Sequence, residues 1–326
     1  MMSTSNTYVL TLTTTIRYLS LTINFISLII GTFGSICNLV IFTAPQLRRN
    51  ACVFYLLCAN IFQLVSILFI VPTRMALDSF GSRLENESLI FCKIRYYLVL
   101  TLPELATYYL LLSTLDRYLA TCESVRYRAL SQLKIAHRLS ALLLIVAFIS
   151  NIYIPVFYTI YNGTCQVSTN EKYVLFVAAY TAIVVIIAPY ILMFIFCVLT
   201  YVNMKRSKRR IEPGTNSHHQ VSNVHTHSTA TSHRFETHII MIIVLQVLVS
   251  AILLSLRIGA YIYSALTMTK VKTIEERVAE GFALQLGVSL YYLNFAISFY
   301  VSTLTSKYFR DILHKRIVDC LRCHWH

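Results

Sequence analysis

Charge is scarce in this 326-residue chain. Asp, Glu, Lys and Arg make up 13% of it, whereas 56% of the residues are hydrophobic. Water-soluble domains carry about 25% charged residues, so this shortage excludes an ordinary soluble globular protein and makes lipid the natural solvent. Glycine (8) and proline (6) are also few, and no internal repeat is visible. That argues against a transporter or channel, which is built from repeats with Gly/Pro-broken helices near the midplane. Strand-like alternation is missing, which removes a membrane barrel. The apolar stretches contain neither a nucleophile–base arrangement nor metal-ligand spacing, so no enzyme, metal or other cofactor is expected. The single tryptophan is Trp325.

What is abundant is apolar length. A hydrocarbon core of about 30 Å takes about 20 apolar residues per helix, and seven runs qualify: 18–42, 52–73, 89–121, 139–161, 173–203, 238–268 and 281–305. Helices are the form in which a lipid-exposed backbone satisfies its own hydrogen bonds. The first run has no basic segment before it and no small-residue cleavage site after it, so it reads as a retained span. The expected fold is an all-α integral membrane protein, a seven-helix bundle with an amphipathic eighth helix. It divides into an outer N-terminus (1–17), the bundle (18–305) with a flexible inner loop at 204–235, and an inner helix and tail (306–326).

With the N-terminus outside, 17 of the 28 Lys and Arg fall on the cytoplasmic side and nine outside, as the positive-inside rule requires. The net charge of +14 is then a topology signal that also suits anionic inner-leaflet lipid, and nucleic-acid binding is not needed to explain it. Of nine cysteines, four lie in or at the ends of spans and Cys122, Cys320 and Cys323 face the reducing side. Cys92 and Cys165 remain outside, and a disulfide between them is expected to tie the top of the third span to the loop after the fourth. The sequons at Asn86 and Asn162 fall on the same outer side, as glycosylation needs.

Seven spans alone do not give a function, because unrelated membrane proteins share the number. The motifs narrow it. Asn38 stands in Gly34-Ser35-Ile36-Cys37-Asn38-Leu39-Val40, Cys92 lies 25 positions before Arg117, and Leu115-Asp116-Arg117-Tyr118-Leu119-Ala120-Thr121 ends the third span. Pro189 stands in the fifth, and Ser306-Lys307-Tyr308-Phe309-Arg310 follows the seventh. Jointly, this spacing resembles the rhodopsin-like class of G-protein-coupled receptors over nearly the whole chain. The resemblance implies a plasma-membrane receptor whose partners are an extracellular ligand, a heterotrimeric G-protein, membrane lipid, and arrestin and receptor kinases.

It also implies a switch. Asp116 would hold Arg117 at rest and release it toward the G-protein on activation, with Tyr118 alongside; a solvated surface pair is the alternative. If Leu256 takes the place of the family's sixth-helix proline, Glu236 lies twenty residues earlier, where many members carry an acid that reaches the same arginine. A loop-end charge is the other reading of Glu236. After residue 305, Tyr308, Phe309, Ile312, Leu313, Ile317 and Leu321 recur at helical spacing opposite a basic face, a pattern for a helix lying on the membrane. Cys320 and Cys323 are candidates for palmitoylation there, against unmodified thiols. Residues 208–234 are rich in Ser, Thr and His. Their five histidines lack a scaffold for a metal, and Ser217, Ser222, Thr226, Ser228, Thr229, Thr231 and Ser232 are candidates for phosphorylation.

Other positions depart from the family. Its sodium-binding aspartate is matched by Asn60, and the rest of that pocket by Ala106, Asn294 and Ser298, all neutral, so sodium sensitivity is expected to be weak or absent. Leu253-Leu254-Ser255-Leu256 replaces the Cys-Trp-x-Pro pattern of span six, leaving no obligatory kink. Cys197 stands where the fifth-helix tyrosine is expected, and Ser298-Phe299-Tyr300-Val301-Ser302 replaces Asn-Pro-x-x-Tyr, with Tyr300 as a candidate substitute. A non-signalling decoy is therefore a further reading.

For the ligand, Val99 occupies the position of the amine receptors' aspartate, and residues 281–305 contain no lysine for a retinal Schiff base. Glu104 and Arg257 sit at membrane depth, where each needs a partner or an aqueous pocket. They either pair with each other or contact ligand. Arg74, Lys93 and Arg95 cluster near the outer mouth beneath a loop long enough for a hairpin. Such a vestibule resembles peptide receptors of the family, including the FMRFamide-like neuropeptide group, with a chemosensory or lipid ligand as runner-up.

Overall fold

The computed structural model describes the backbone of residues 2–78, 80–167, 170–211, 224–267 and 270–324, and their side chains except 2–6, 171, 208–211, 224–238, 265, 320, 321, 323 and 324. Seven helices are long and apolar enough to cross a membrane. They are α1 (Met2–Phe42), α2 (Ala51–Asp78), α3 (Leu89–Thr121), α4 (Leu133–Ser150), α5 (the consecutive segments Glu171–Tyr180, Thr181–Ile187 and Ala188–Ile211), α6 (Val224–Leu266) and α7 (Ile274–Thr305). An eighth, α8 (Lys307–His324), follows directly.

Several boundaries differ from the sequence expectation. α1 begins at Met2, sixteen residues before the apolar run at 18, and within the added Thr-rich stretch Thr11, Thr13 and Thr14 donate to the carbonyls four residues back at 2.7–2.8 Å. α7 begins at Ile274 rather than 281. Thr273 Oγ1 accepts from Glu276 N, and the Glu276 carboxylate accepts from Thr273 N, a reciprocal capping box. The expected flexible loop at 204–235 is helical at both ends, since α5 runs to Ile211 and α6 starts at Val224; the Lys- and Arg-rich segment 205–210 consists largely of good helix formers.

The fourth span stops short of residue 161. After Ser150 come a short helix, Tyr153–Phe157, and a hairpin of β1 (Tyr158–Tyr161) and β2 (Thr164–Val167), with Tyr161 opposite Thr164. The two intervening residues, Asn162 (φ 50°) and Gly163 (φ 71°), are both left-handed, as a two-residue type I′ turn demands. In α5 the residues Thr181–Ile187 widen to π geometry, and the Ala188 N–H reaches back five residues to Ile183 O. Pro189 explains this: it offers no N–H to the Val185 carbonyl and its ring would strike that carbonyl in a regular helix.

Small residues set the closest approaches. A Cβ on Gly31 would lie 2.9 Å from Ala296 Cβ, and one on Gly34 2.9 Å from Phe299 Cβ, so α1 and α7 pack nearly backbone to backbone. A Cβ on Gly287 would come within 2.9 Å of Arg257 Cα, which pins α7 to α6 at mid-bundle. α8 folds under one end of the bundle. Phe309 is fully buried against Phe42 in an edge-to-face contact of 6.1 Å, and Arg310 Nη1 donates to the carbonyls of Thr303 and Leu304 at the end of α7. Arg316 Nη2 donates to Thr43 O at the end of α1. The amphipathic eighth helix expected from the tail is thus present and docked.

Candidate functional site

At the end of the bundle next to α8, the last turn of α3 buries Asp116 and Arg117, 3% and 5% exposed. Arg117 donates to Asp116 Oδ2 from Nη2 at 2.6 Å and from Nε at 3.2 Å, and Ser131 Oγ donates to Asp116 Oδ1 at 2.6 Å. Arg117 Nη2 also reaches Asn50 Oδ1 at 3.3 Å, while the same oxygen caps α2 by accepting from Cys52 N. A buried, doubly hydrogen-bonded pair of this kind is no solvated surface contact. Removing one partner of such a pair costs about 3–5 kcal/mol. Tyr118 stacks on Phe196 at 5.7 Å between ring centres. The side chains of Glu236 on α6 and of Cys320 and Cys323 on α8 lie outside the described residues, as do all side chains of the His-, Ser- and Thr-rich segment 208–234.

The four positions matched to the family's sodium pocket make only neutral contacts. Asn60 accepts from Asn38 Nδ2 at 3.2 Å and donates to Ser35 O at 2.9 Å, tying α1 to α2. Asn294 accepts from Ser250 Oγ at 2.9 Å, tying α7 to α6. Asn60 and Ser298 both line a small internal cavity of about 20 Å3, whereas Ala106, fully buried on α3, is not among its walls. Tyr300, the candidate substitute for the family's tyrosine, packs on the apolar cluster that includes Phe42 and Phe299. It is partly exposed, and its hydroxyl donates to Ile30 O on α1 at 3.3 Å.

Glu104 and Arg257, both more than nine-tenths buried, form no ion pair with each other, which corrects one of the two expectations. Glu104 turns toward α4 and accepts from Asn151 Nδ2. Arg257 instead lies over Tyr291 of α7, with its guanidinium carbon 4.2 Å from the ring centre and 5.8 Å from that of Tyr261. Among the described residues it has no carboxylate partner, and its Nε makes no hydrogen bond. Val99 packs on the apolar cluster of Met75, Leu254 and Tyr292.

The opposite end is closed by the hairpin. Cys92 and Cys165 are joined by a disulfide, as expected. Asn86 Oδ1 accepts from Cys165 N at 2.9 Å, leaving its Nδ2 for a glycan, and Asn162 is exposed at the hairpin tip. Burial raises the pKa of the Tyr158 phenol, and its neutral ring stacks on Tyr96 at 4.3 Å. The cationic cluster expected at this mouth is largely neutralised. Arg95 pairs with buried Glu85 and covers Tyr96 at 5.3 Å, so it serves the wall rather than an open pocket. Arg74 Nε lies 3.0 Å from Asp78 Oδ2, a charge contact outside hydrogen-bond alignment, and Lys272 pairs with Glu280. Lys93 is half-buried close by.

Sequence reasoning missed Asn50, Ser131, Gln63, Gln246, Ser250, Glu85 and Asn151. Signals existed for some of these. Asn50 directly precedes an apolar run, the position of a helix cap, and Gln63 and Gln246 are polar residues inside apolar spans, which seldom lack a partner or a purpose. Ser131 and Asn151 carry no such mark, since only the fold brings them to α3.

No individual curated protein matches the chain. The model of the family described as 7 transmembrane receptor (rhodopsin family) matches residues 34–298, from the Gly34 contact in α1 to Ser298 in α7. Members of that family are multi-pass plasma-membrane receptors, not enzymes, and they work between an extracellular ligand and a heterotrimeric G-protein. With seven packed spans, the α3 disulfide and the buried Asp116–Arg117 pair, the chain belongs to the rhodopsin family of seven-transmembrane receptors.

Proposed function

We propose that this receptor responds to an extracellular peptide, with its N-terminus and hairpin outside and α8 in the cytoplasm. The unequal split of Lys and Arg and the placement of both sequons support that orientation. The ligand reading rests on one observation above all: Arg257 is a buried cation with no anionic partner among the described residues. Such a charge at membrane depth calls for an acceptor from outside, and a peptide's terminal carboxylate or a backbone carbonyl supplies one. The disulfide-tied hairpin above gives a peptide main chain a fixed rim to lie against.

Ligand binding would shift a two-state equilibrium by its differential contact with α6, the helix that carries Arg257. In the resting state Asp116, with Ser131 behind it, holds Arg117 against Asn50. In the active state Arg117 is released to the G-protein, and Glu236 is proposed as the second acid of this lock. Arrestin and receptor kinases acting on the third cytoplasmic loop, and palmitoylation of Cys320 and Cys323, complete the reading.

A lipid-like ligand is the second reading, favoured by a crevice of about 590 Å3 between α6 and α7 whose walls carry Leu256, Ala260, Ala279 and Ala283 beside the acidic Glu276 and Glu280. G-protein activation in membranes bearing the receptor decides between them. Peptide pools with free and amidated C-termini are compared with lipid pools, using Arg117→Ala as the signalling-dead control. The proposal expects a peptide hit that Arg257→Ala abolishes. Activation by lipids alone overturns it.

A further inference from the structure

Ser131 braces the buried Asp116–Arg117 pair from outside α3. Its Oγ donates to Asp116 Oδ1 at 2.6 Å, while the other carboxylate oxygen holds Arg117. The hydroxyl serves the pair only while it keeps its proton. A phosphoserine has none to give and carries about −1.5 to −2 charge at neutral pH.

The surrounding sequence adds an independent observation. Arg126 and Arg128 lie five and three residues before Ser131, in Arg126-Tyr127-Arg128-Ala129-Leu130-Ser131, and no other serine or threonine of the chain has arginine at both positions. Arginine-directed protein kinases select substrates by such charge patterns, because acidic pockets beside the acceptor hydroxyl seat the guanidinium groups. The fold leaves the segment open. Every residue from Glu123 to Leu130 is exposed, with Val125 at 70% and Tyr127 at 56%. Its only regular structure is one helical turn, Val125–Arg128, which has no buried residue and no side-chain N-cap. A turn so short is marginal by itself, so it unwinds into a kinase cleft at little cost and frees Ser131 from Asp116.

We infer that Ser131 is a phosphorylation site for an arginine-directed serine/threonine kinase, and that its phosphate loosens the Asp116–Arg117 lock. The Ser131 oxygen attacks the γ-phosphorus of ATP; an O–P bond forms as the bond to the β-phosphate oxygen breaks, ADP leaves, and the hydroxyl proton passes to a base of the kinase. Repulsion drives the new dianion out of its 2.6 Å contact with the carboxylate, and Arg126 and Arg128 supply counter-charges on the exposed loop. Asp116 is left with one brace gone and a repelling charge nearby. The inference rests on the cytoplasmic side given to this loop and on the lock proposed above.

The site is tested on detergent-solubilised receptor, which is open to reagents on both faces, by incubation with purified protein kinase B and ATP and location of the phosphate by mass spectrometry. Ser131 is expected to be filled in most molecules, and several-fold more slowly in Arg126→Gln or Arg128→Gln, substitutions at exposed positions that keep the acceptor. No phosphate on Ser131 overturns the site, whichever way the chain crosses the membrane. Sealed vesicles test sidedness separately: labelling confined to right-side-out vesicles counts against the orientation and not against the acceptor. Ligand-free nucleotide exchange on the G-protein reads the effect. Phosphorylated receptor is expected to show a several-fold higher basal rate than untreated receptor, above that of Ser131→Ala, and phosphorylation should add nothing to Asp116→Asn, whose amide has no charge to repel. An unchanged or lower rate, or an equal rise on Asp116→Asn, overturns the loosening. If Asp116→Asn by itself leaves the rate unchanged, the lock reading fails and the loosening with it, while the labelling result stands.

Discussion

Replacing Arg257 by Met should make the ligand-free receptor more stable while abolishing its response. Arg257 is 8% exposed, has no carboxylate partner among the described residues, and its Nε makes no hydrogen bond. Burying an unpaired ion costs several kcal/mol even after relaxation, and a desolvated cation–π contact returns about 2 kcal/mol. Only Tyr291, at 4.2 Å, is close enough to give most of that, since Tyr261 stands at 5.8 Å. The net burden is then about 1–3 kcal/mol. Methionine keeps an adaptable apolar contact with the Tyr291 ring and removes the charge. At roughly 2–4 °C per kcal/mol, the apparent melting temperature should rise by about 2–12 °C. Thermal-shift measurements on detergent-solubilised, ligand-free receptor at one heating rate check this, with Arg257→Lys as the charge-keeping comparison. Lysine retains the burden and loses the planar stacking, so it should not stabilise. A fall in melting temperature for Met below that of Lys would refute the idea that Arg257 awaits an external anion.

Gly287→Ala should lower the melting temperature and blunt the agonist response, because its Cβ would meet the Arg257 backbone at 2.9 Å and overpacking costs about 1–3 kcal/mol. Gly259→Ala, inside α6 with open space around it, should instead hold or slightly raise the melting temperature in the same thermal-shift assay. Asp116→Asn should raise basal G-protein activation by removing the anion that holds Arg117, and Ser131→Ala should do so more weakly; Glu236→Ala is expected to act in the same direction. An unchanged baseline in a coupled nucleotide-exchange assay counts against each. Replacing sodium by a bulky cation should leave agonist affinity unchanged, since Asn60 and Ser298 meet the internal cavity with neutral groups; an affinity drop in sodium, measured by radioligand competition, would contradict this.

The sequence by itself determined the seven-span architecture. Apolar length dictates spans because an unpaired backbone is intolerable in lipid, and two outward cysteines leave one pairing to make. It also marked the residues that matter at the α8 end, since Asp116 and Arg117 are adjacent in the chain and need no fold to meet. Where polar hydrogen bonding overrode hydropathy, the reading failed. The Thr273–Glu276 box starts α7 early, and Asn162-Gly163 turns the end of the expected fourth span into a hairpin.

Only the tertiary structure decided which charges are neutralised. Glu104 and Arg257 are both lone ionisable residues in apolar runs, indistinguishable by composition. Asn151 from α4 satisfies the first, whereas the ring of Tyr291 faces the second. Likewise Arg95, counted among free cations at the mouth, is neutralised by Glu85 ten residues earlier, because the short helix Leu84–Glu87 folds back on α3. Helix rotation and crossing set these partners, and they follow from packing of side chains far apart in the chain, which no local pattern encodes.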